Sequence, residues 1–283
     1  MGERESTARA REVGSYLRQT REAAGLSLAD MAERLGWSQS KVSRLERGAA
    51  EAMPVEVVRF AAHCGTGIGE VDSLLDWFRE AAPPGYWLSD RLSSLIFHET
   101  AAQFSQSYDP LVVPGLLQTE DYATALIGPK FTPMRMERQR LVHRRGFQFY
   151  IHEQALRLPV GGNRVMNEQM LKLALMCDQP MITIRVVPTA LGERGSLGGS
   201  FVLFRYTTSG PLLYLENQFV GFFVEDHDHV SRYQEQLTVL TDVALNRGES
   251  RELLAALASE FDLPEDSRNV PDDLAKEQLQ RGT

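Results

Sequence analysis

Over the first eighty residues the apolar positions recur at steps of three and four. Val13, Tyr16, Leu17 and Thr20 share one face of a helix predicted over Val13 to Ala24. Gly25, Gly36, Gly48 and the run Gly65-Thr-Gly-Ile-Gly69 cut the rest of this stretch into short pieces. Ser27 can cap a second helix, with Asp30 three residues on as a weak capping box, and Ser38 can cap a third. Pro54 suits the first turn of a fourth helix that ends before Gly65. Val71, Leu74, Leu75 and Phe78 fall at i, i+3, i+4 and i+7, which predicts a fifth. Pro83-Pro84-Gly85 then breaks the chain and sets a domain boundary.

Beyond that boundary the pattern is mixed. Helices are predicted at Thr119 to Ile127, Pro133 to Arg145, Asn163 to Cys177, His227 to Leu245 and Ser250 to Phe261. Phe147 to His152 alternates apolar and polar. Met181 to Val187, Ser200 to Tyr206, Leu212 to Glu216 and Phe219 to Val224 are short and β-rich. The expected organisation is an arm over 1–12, an all-α five-helix helix-turn-helix domain over 13–82, an α+β domain over 83–262 with a small, mainly antiparallel or mixed sheet, and a disordered tail over 263–283.

The 283 residues carry a net charge of −8, which by itself argues against a nucleic-acid partner. The distribution reverses that. Between Arg9 and Gly48 there are eight Lys and Arg against five acids, so this window is positive and the acid excess lies elsewhere. A local basic face is enough to release counterions from phosphates. Charged Met1 to Arg11 lacks an apolar core, so it does not read as a secretory signal, and no apolar run is long enough to span a membrane. Cys64 and Cys177 form neither a metal pattern nor a disulfide framework. The expected location is cytoplasmic.

The densest signal lies between Ser27 and Gly48. Ala32 is small where two helices would cross, and Gly36 supplies a left-handed turn four residues later. Val42 and Leu45 make the inward stripe of the next helix. Ser40, Ser43, Arg44 and Arg47 make a polar stripe opposite, with Ser38, Gln39 and Lys41 beside it in the first turn. An apolar back and an Arg, Ser and Gln front suit docking in a major groove. The candidate DNA-binding residues are therefore Ser38, Gln39, Ser40, Lys41, Ser43, Arg44 and Arg47. The bland alternative is a solvated helix of an ordinary bundle.

Residues 13–80 resemble the lambda-repressor-like, xenobiotic-response-element (XRE) type of helix-turn-helix. The resemblance rests on Leu17-Arg18 to Arg21, Gly25-Leu26-Ser27, Met31-Ala32, Leu35-Gly36, Ser38 and Val42-Ser-Arg-Leu-Glu-Arg-Gly48. It implies that Arg21 and Glu46 pair between the first and third helices, a structural role. Leu28 departs from the pattern, which often has Gln there, so that contact with DNA is expected to be missing.

Pro114-Gly-Leu-Leu-Gln-Thr-Glu-Asp-Tyr-Ala123, Glu137-Arg-Gln-Arg140, His152-Glu-Gln-Ala-Leu-Arg157 with Pro159-Val-Gly161, and Tyr214-Leu-Glu216 resemble the C-terminal domain of actinobacterial, WhiJ-like regulators. Some of these are antitoxin-like and are encoded beside a small partner of the BldB-like type. The resemblance implies a role in protein interaction or signal sensing.

Little points to catalysis. His152-Glu153 begins a zinc-protease motif, but Leu156 stands where the second His belongs. Asp226-His-Asp-His229 is the densest group of ligand types, and at a helix start acids also act as caps. His98-Glu99 has no partner of comparable spacing. Gly192 to Gly199 reads as a flexible hairpin loop. Gly115 and Gln118 fit either a pocket or a tight turn before a helix capped by Thr119. The expectation is a sequence-specific transcriptional regulator, without enzymatic activity, metal or cofactor. Its partners would be operator DNA, a second copy of itself and a BldB-like protein. The alternative is an antitoxin-like interaction module for which DNA binding is secondary. Val230, Tyr233, Leu237, Leu240 and Ala244 form a helical seam, a candidate surface for dimerisation; because the strands before it need a cover, the favoured reading is that it packs on the domain's own sheet.

Overall fold

In the computed structural model the described residues are 6–67, 70–71, 75, 85–89, 92–143, 145–195, 198–216 and 221–263. Part of the predicted arm, Leu74 and Phe78 of the fifth helix, Pro83 and Pro84 at the boundary, Phe219 and the predicted tail after Leu263 lie outside them.

The N-terminal helices are α1 (Ala8–Ala23), α2 (Leu28–Leu35), α3 (Gln39–Glu46) and α4 (Pro54–His63). Glu70, Val71 and Leu75, from the expected fifth helix, are helical too. Helix α1 starts five residues before the apolar pattern suggests, because the Thr7 side chain caps it, accepting from the Ala10 amide at 3.1 Å. Ser27 and Asp30 close a reciprocal capping box on α2, and Ser38 caps α3. Gly36 ends α2 in the left-handed region, φ 67°. Val13, Leu17, Met31, Leu35, Val42, Leu45, Val57 and Phe60 form the core between these helices.

Glycine sets how closely α1 and α3 approach. A Cβ on Gly14 would lie 2.3 Å from the Leu45 carbonyl oxygen and 2.8 Å from that of Glu46. Gly48, just after α3, has φ 65°, and a Cβ there would lie 2.5 Å from the Arg11 amide nitrogen. Backbone therefore packs on backbone at both ends of the contact.

The C-terminal part is α+β, as expected. Its elements are β1 (Tyr86–Ser89), α5 (Leu92–Ala101), β2 (Phe104–Asp109), α6 (Glu120–Ile127), α7 (Thr132–Arg138), β3 (Gly146–His152), α8 (Glu153–Arg157), α9 (Asn163–Met176), β4 (Ile182–Val187), β5 (Phe201–Arg205), β6 (Leu212–Glu216), β7 (Gly221–Val224), α10 (His227–Val243) and α11 (Arg247–Asp262). Among the described residues these strands make one mixed seven-stranded sheet, in the order β1-β7-β6-β5-β2-β3-β4. β2, β3 and β4 run parallel and the other neighbours antiparallel. On one face, Phe147, Phe149, Ile182 and Ile184 pack under α9 and α11, while Trp87, Phe204, Leu212 and Phe223 pack under α5. On the other, α10 covers Tyr108, Phe201, Leu203 and Leu213.

Several expectations change. Strand β1, helix α5 and strand β2 lie in a stretch where no element was expected. The helix predicted over Pro133 to Arg145 is α7 and then a tighter 3-10 turn over Gln139–His143. The segment Gly192 to Gly199 is not a hairpin loop. Its described part up to Gly195 belongs to a 3-10 turn (Thr189–Gly195), and β4 and β5 are not neighbours in the sheet, since β3 and β2 lie between them. The seam of Val230, Leu237, Leu240 and Ala244, as favoured from the sequence, is buried against the sheet, with the Tyr233 ring edge-on to Phe201 at 4.8 Å, so it is not free for dimerisation.

Helix α1 also reaches the second domain. Ala8 is fully buried beside Trp87 and Phe223, and its amide donates to the Glu225 carboxylate at 2.6 Å. Glu12 accepts a 2.5 Å bond from the Ser94 hydroxyl and lies 3.7 Å from His98 Nε2. His98 is fully buried among aromatic rings, with Nδ1 2.9 Å from the Tyr206 hydroxyl. Burial lowers its pKa, outweighing the pull of Glu12. A neutral ring that accepts from Tyr206 at Nδ1 carries its N–H at Nε2, which has no hydrogen-bond partner among the described residues.

The glycine contact yields a first expectation. Gly14→Ala forces α1 off α3 and should destabilise the protein by about 1–3 kcal/mol. Gly67→Ala, where a Cβ meets nothing within 4 Å, should stay within about 0.5 kcal/mol. Urea denaturation of both variants checks the pair. Equal midpoints would show that α1 and α3 are not in backbone contact.

Candidate nucleic-acid interface

Helix α3 buries Val42 and Leu45 and turns its other side to solvent. Ser38, Gln39, Ser40, Arg44 and Arg47 are exposed, while Lys41 and Ser43 are half-buried. All seven predicted residues thus fall on α3, at its N-cap or at its C-cap, around one outward face. They are not equally free. The Ser38 hydroxyl already accepts from the Lys41 amide at 3.1 Å. Arg47 Nε donates to the Ser43 carbonyl at 3.2 Å. Arg44 has no ion pair among the described residues.

Lys41 is the departure. Its ammonium lies 2.5 Å from the Glu56 carboxylate and 4.1 Å from the centre of the Trp37 ring. Glu56 also accepts from the Met53 amide at the start of α4. Burial would raise the Glu56 pKa, yet the bonds from Lys41 and Met53 hold it below the ordinary range. Lys41 therefore ties α3 to α4, a contact between helices that helical spacing alone does not reveal.

The charge on this face depends on what is hidden behind it. Glu46 is the only acid between Trp37 and Gly48, and it points inward. Arg21 grips it with two bonds, Nε to Oε1 at 2.6 Å and Nη2 to Oε2 at 2.8 Å. Arg21 Nη1 also donates to the Leu26 carbonyl at 2.7 Å. The two side chains keep only 8% and 5% of their surface exposed. The bonds to Glu46 raise the Arg21 pKa against the opposing effect of burial. With its acid removed from the surface, α3 presents cations and neutral hydrogen-bonding groups, which suits the phosphates and base edges of a major groove.

The candidates in the second domain take local roles. His152 Nδ1 accepts from the Gln154 amide at 3.2 Å at the start of α8, and Glu153 pairs with Arg157 at 2.8 Å. Asp226 caps α10 and lies 2.7 Å from His229 Nδ1. His227 and Asp228 are exposed. Among the described residues no three His, Cys, Asp or Glu side chains converge on a point that could hold a metal. Thr119 caps α6 as expected. Gln118 is fully buried, donating to the Val113 carbonyl at 2.8 Å and accepting from Arg135 at 3.1 Å. Gly115 lines a cavity on the sheet. His98 and Glu99, adjacent in sequence, reach different partners, Glu12 and Arg138. Neither partner is within reach by local spacing. No described helix is long and apolar enough to cross a membrane.

Residues 92–256, more than half of the chain, match a family described as a domain of unknown function (DUF5753). Residues 12–74 match a family described as a helix-turn-helix domain. No curated protein matches the chain. Among solved structures, the chain is similar to TrmBL2, an archaeal chromatin protein whose structure is described as showing a novel mode of DNA binding. Identity is 10%, covering 82% of this chain and 93% of that one, with a TM-score of 0.29, too low to carry an argument.

The Arg21–Glu46 pair sets a second expectation. Glu46→Ala leaves a buried guanidinium without its partner and should cost about 3–5 kcal/mol. Any loss of DNA binding should then track the loss of folded protein. Calorimetric melting and DNA titration of the same sample check this. Unchanged melting with lost binding would place Glu46 at the DNA instead.

Proposed function

The chain belongs to the DUF5753 family and carries a helix-turn-helix domain ahead of that region, and from that premise we propose that it is a sequence-specific DNA-binding transcriptional regulator and not an enzyme. The observation that carries the reading is the outward face of α3. It holds Arg44 and Arg47, exposes Gln39 and Ser40, and has its acid turned inward onto Arg21. Gln39, Ser40 and Arg44 read base edges. Ser38, Ser43 and Arg47 hold phosphates. Lys41, drawn to Glu56, contributes less to phosphate binding than its charge suggests.

Selection of an operator from random duplexes, and then titration over a range of salt, tests this. Arg44→Ala should cost about 1–3 kcal/mol on the selected site and relax its sequence preference. Arg47→Ala should weaken specific and random DNA alike and lower the salt slope by about one. Lys41→Ala should have the smaller effect on affinity. Equal losses on specific and random DNA from Arg44→Ala and Arg47→Ala would defeat the division of roles.

The second domain serves oligomerisation and partner or signal binding on this reading. One helix-turn-helix reads few base pairs, so two recognition helices about one helical turn apart are expected in a dimer. Exposed Leu171 and Leu175 on α9 favour a further, antitoxin-like role for this domain, the docking of a small, adjacently encoded partner of the BldB-like kind. Light scattering at micromolar concentration should give twice the chain mass. A monomer that keeps full operator affinity would overturn the dimer. Pull-down of an adjacently encoded protein that alters DNA affinity would favour the antitoxin-like reading.

A further inference from the structure

The sheet face that carries α5, α9 and α11 is covered in two separate patches. Between them lies a cavity of about 80 Å³. That is room for several water molecules. Its floor is strand β2, whose inward positions are Ser105, Ser107 and Asp109 where the neighbouring strands place Phe147, Phe149 and Phe204. Its wall includes Glu99 from α5, Arg138 from α7 and Glu216 at the end of β6.

The charges in this cavity do not cancel. Glu99 and Arg138 neutralise each other, with Nε 2.8 Å from Oε2 and Nη2 3.0 Å from Oε1. Asp109 keeps a single hydrogen bond, from the Ser107 hydroxyl at 2.7 Å. Neither Asp109 nor Glu216 has a cation within ion-pair reach among the described residues. Ser105 is only 3% exposed and lines the cavity, yet its hydroxyl has no partner among the described residues. A buried hydroxyl left open in this way is a position for a ligand atom. Asp109, with no cation in ion-pair reach among the described residues, beside aromatic rings suits a cation with an apolar body.

The same helix faces the DNA-reading domain. On α5, Leu95 and Glu99 line the cavity, and, one residue earlier in each case, Ser94 donates to Glu12 of α1 and His98 lies 3.7 Å from it. We propose that the cavity is an effector site for a small organic amine, its ammonium held between Asp109 and Glu216, and that α5 couples its occupancy to α1. This rests on the regulator reading only for the coupling; amine binding stands without it.

Burial pushes the Asp109 carboxyl up to about 7, and Glu216 adds to that rise while the Ser107 hydroxyl opposes it. The other charged groups at the cavity are Glu99 on α5 and Arg138 on α7, with Arg135 of α7 behind Gly115 and acting on Glu216 and Glu99. An incoming ammonium must therefore displace a proton at low pH. Affinity should fall roughly thirtyfold between pH 8.5 and pH 5.5.

The experiment uses the full chain and three probes with the same carbon skeleton: n-butylamine, n-butanol and butyrate. Calorimetric titration should show binding of n-butylamine at millimolar concentration, weaker binding of n-butanol and none of butyrate. Asp109→Asn should lose the preference for the amine. Ser105→Val, which narrows the cavity, removes the open hydroxyl and leaves every charge in place, should abolish binding of n-butylamine and n-butanol. Hydrogen exchange at the α1 amides of Ala8 to Glu12 should change when n-butylamine is added. Butyrate binding as well as n-butylamine, or Ser105→Val leaving n-butylamine affinity intact, overturns the site. Binding with unaltered α1 exchange overturns the coupling. A chain that binds selected DNA and no amine retains the regulator reading and loses this one. A chain that binds the amine and no DNA does the reverse.

Discussion

A charge taken out of water must find a partner, and α1 brings two such charges with it. Near its C-terminal end Arg21 fixes Glu46 of α3, and near its N-terminal end Glu12 accepts a hydrogen bond from Ser94 of α5. Each pairing selects one position of α1 against one neighbour, because any other leaves a buried ion alone. Apolar packing around Leu17 and Val13 is less selective, since it tolerates small shifts. The orientation of the recognition helix and the attachment of the helical domain to the sheet thus depend on the same kind of constraint, applied twice to one helix.

The sheet solves a different problem. Its parallel half is buried under α9 and α11, and its antiparallel half under α5 on the same face. Two such covers leave a seam, and β2 runs beneath it. A strand with large apolar side chains here would have joined the two cores. Ser105, Ser107 and Asp109 keep them apart and leave the space polar. On the opposite face β2 is polar in another way. Gln106 accepts from Arg205 and donates to Gln148, which donates to Tyr150, whose hydroxyl meets Thr241 of α10. That ladder satisfies its own groups, whereas the seam does not.

The range of each interaction decided whether the sequence made it legible. The caps at Ser27, Ser38 and Thr119, the turn at Gly36 and the stripes of α3 act within about one turn of helix, so spacing reveals them. The mixed α+β character was legible in short β-rich runs. Strand β2 was not legible, because Phe-Ser-Gln-Ser-Tyr-Asp lacks the apolar face that marks a buried strand. Helix α5 was hidden for a related reason: its buried positions include Ser94, His98 and Glu99. The Lys41–Glu56 pair and the Glu12–His98 contact join residues whose proximity only the tertiary fold creates. Sequence spacing found the face of α3, and only the fold distinguishes the exposed Arg44 from the Lys41 held by its neighbour.

These constraints also determine how a disturbance in the sheet could reach α3. A ligand shifts a protein only through contacts that differ between two states. Side chains with free rotamers would absorb a small displacement of α5. The path from α5 to α3 has few of these. Glu12 is held by the Ser94 hydroxyl, and Ala8 is held through its own amide. From α1 to α3 the contact is backbone against backbone at Gly14 and Gly48, with no side chain between to relax. Movement of α1 therefore carries α3 with it. In the dimer proposed above, where two recognition helices would meet half-sites at a set distance, a shift of this origin would alter their separation without altering the outward face of α3.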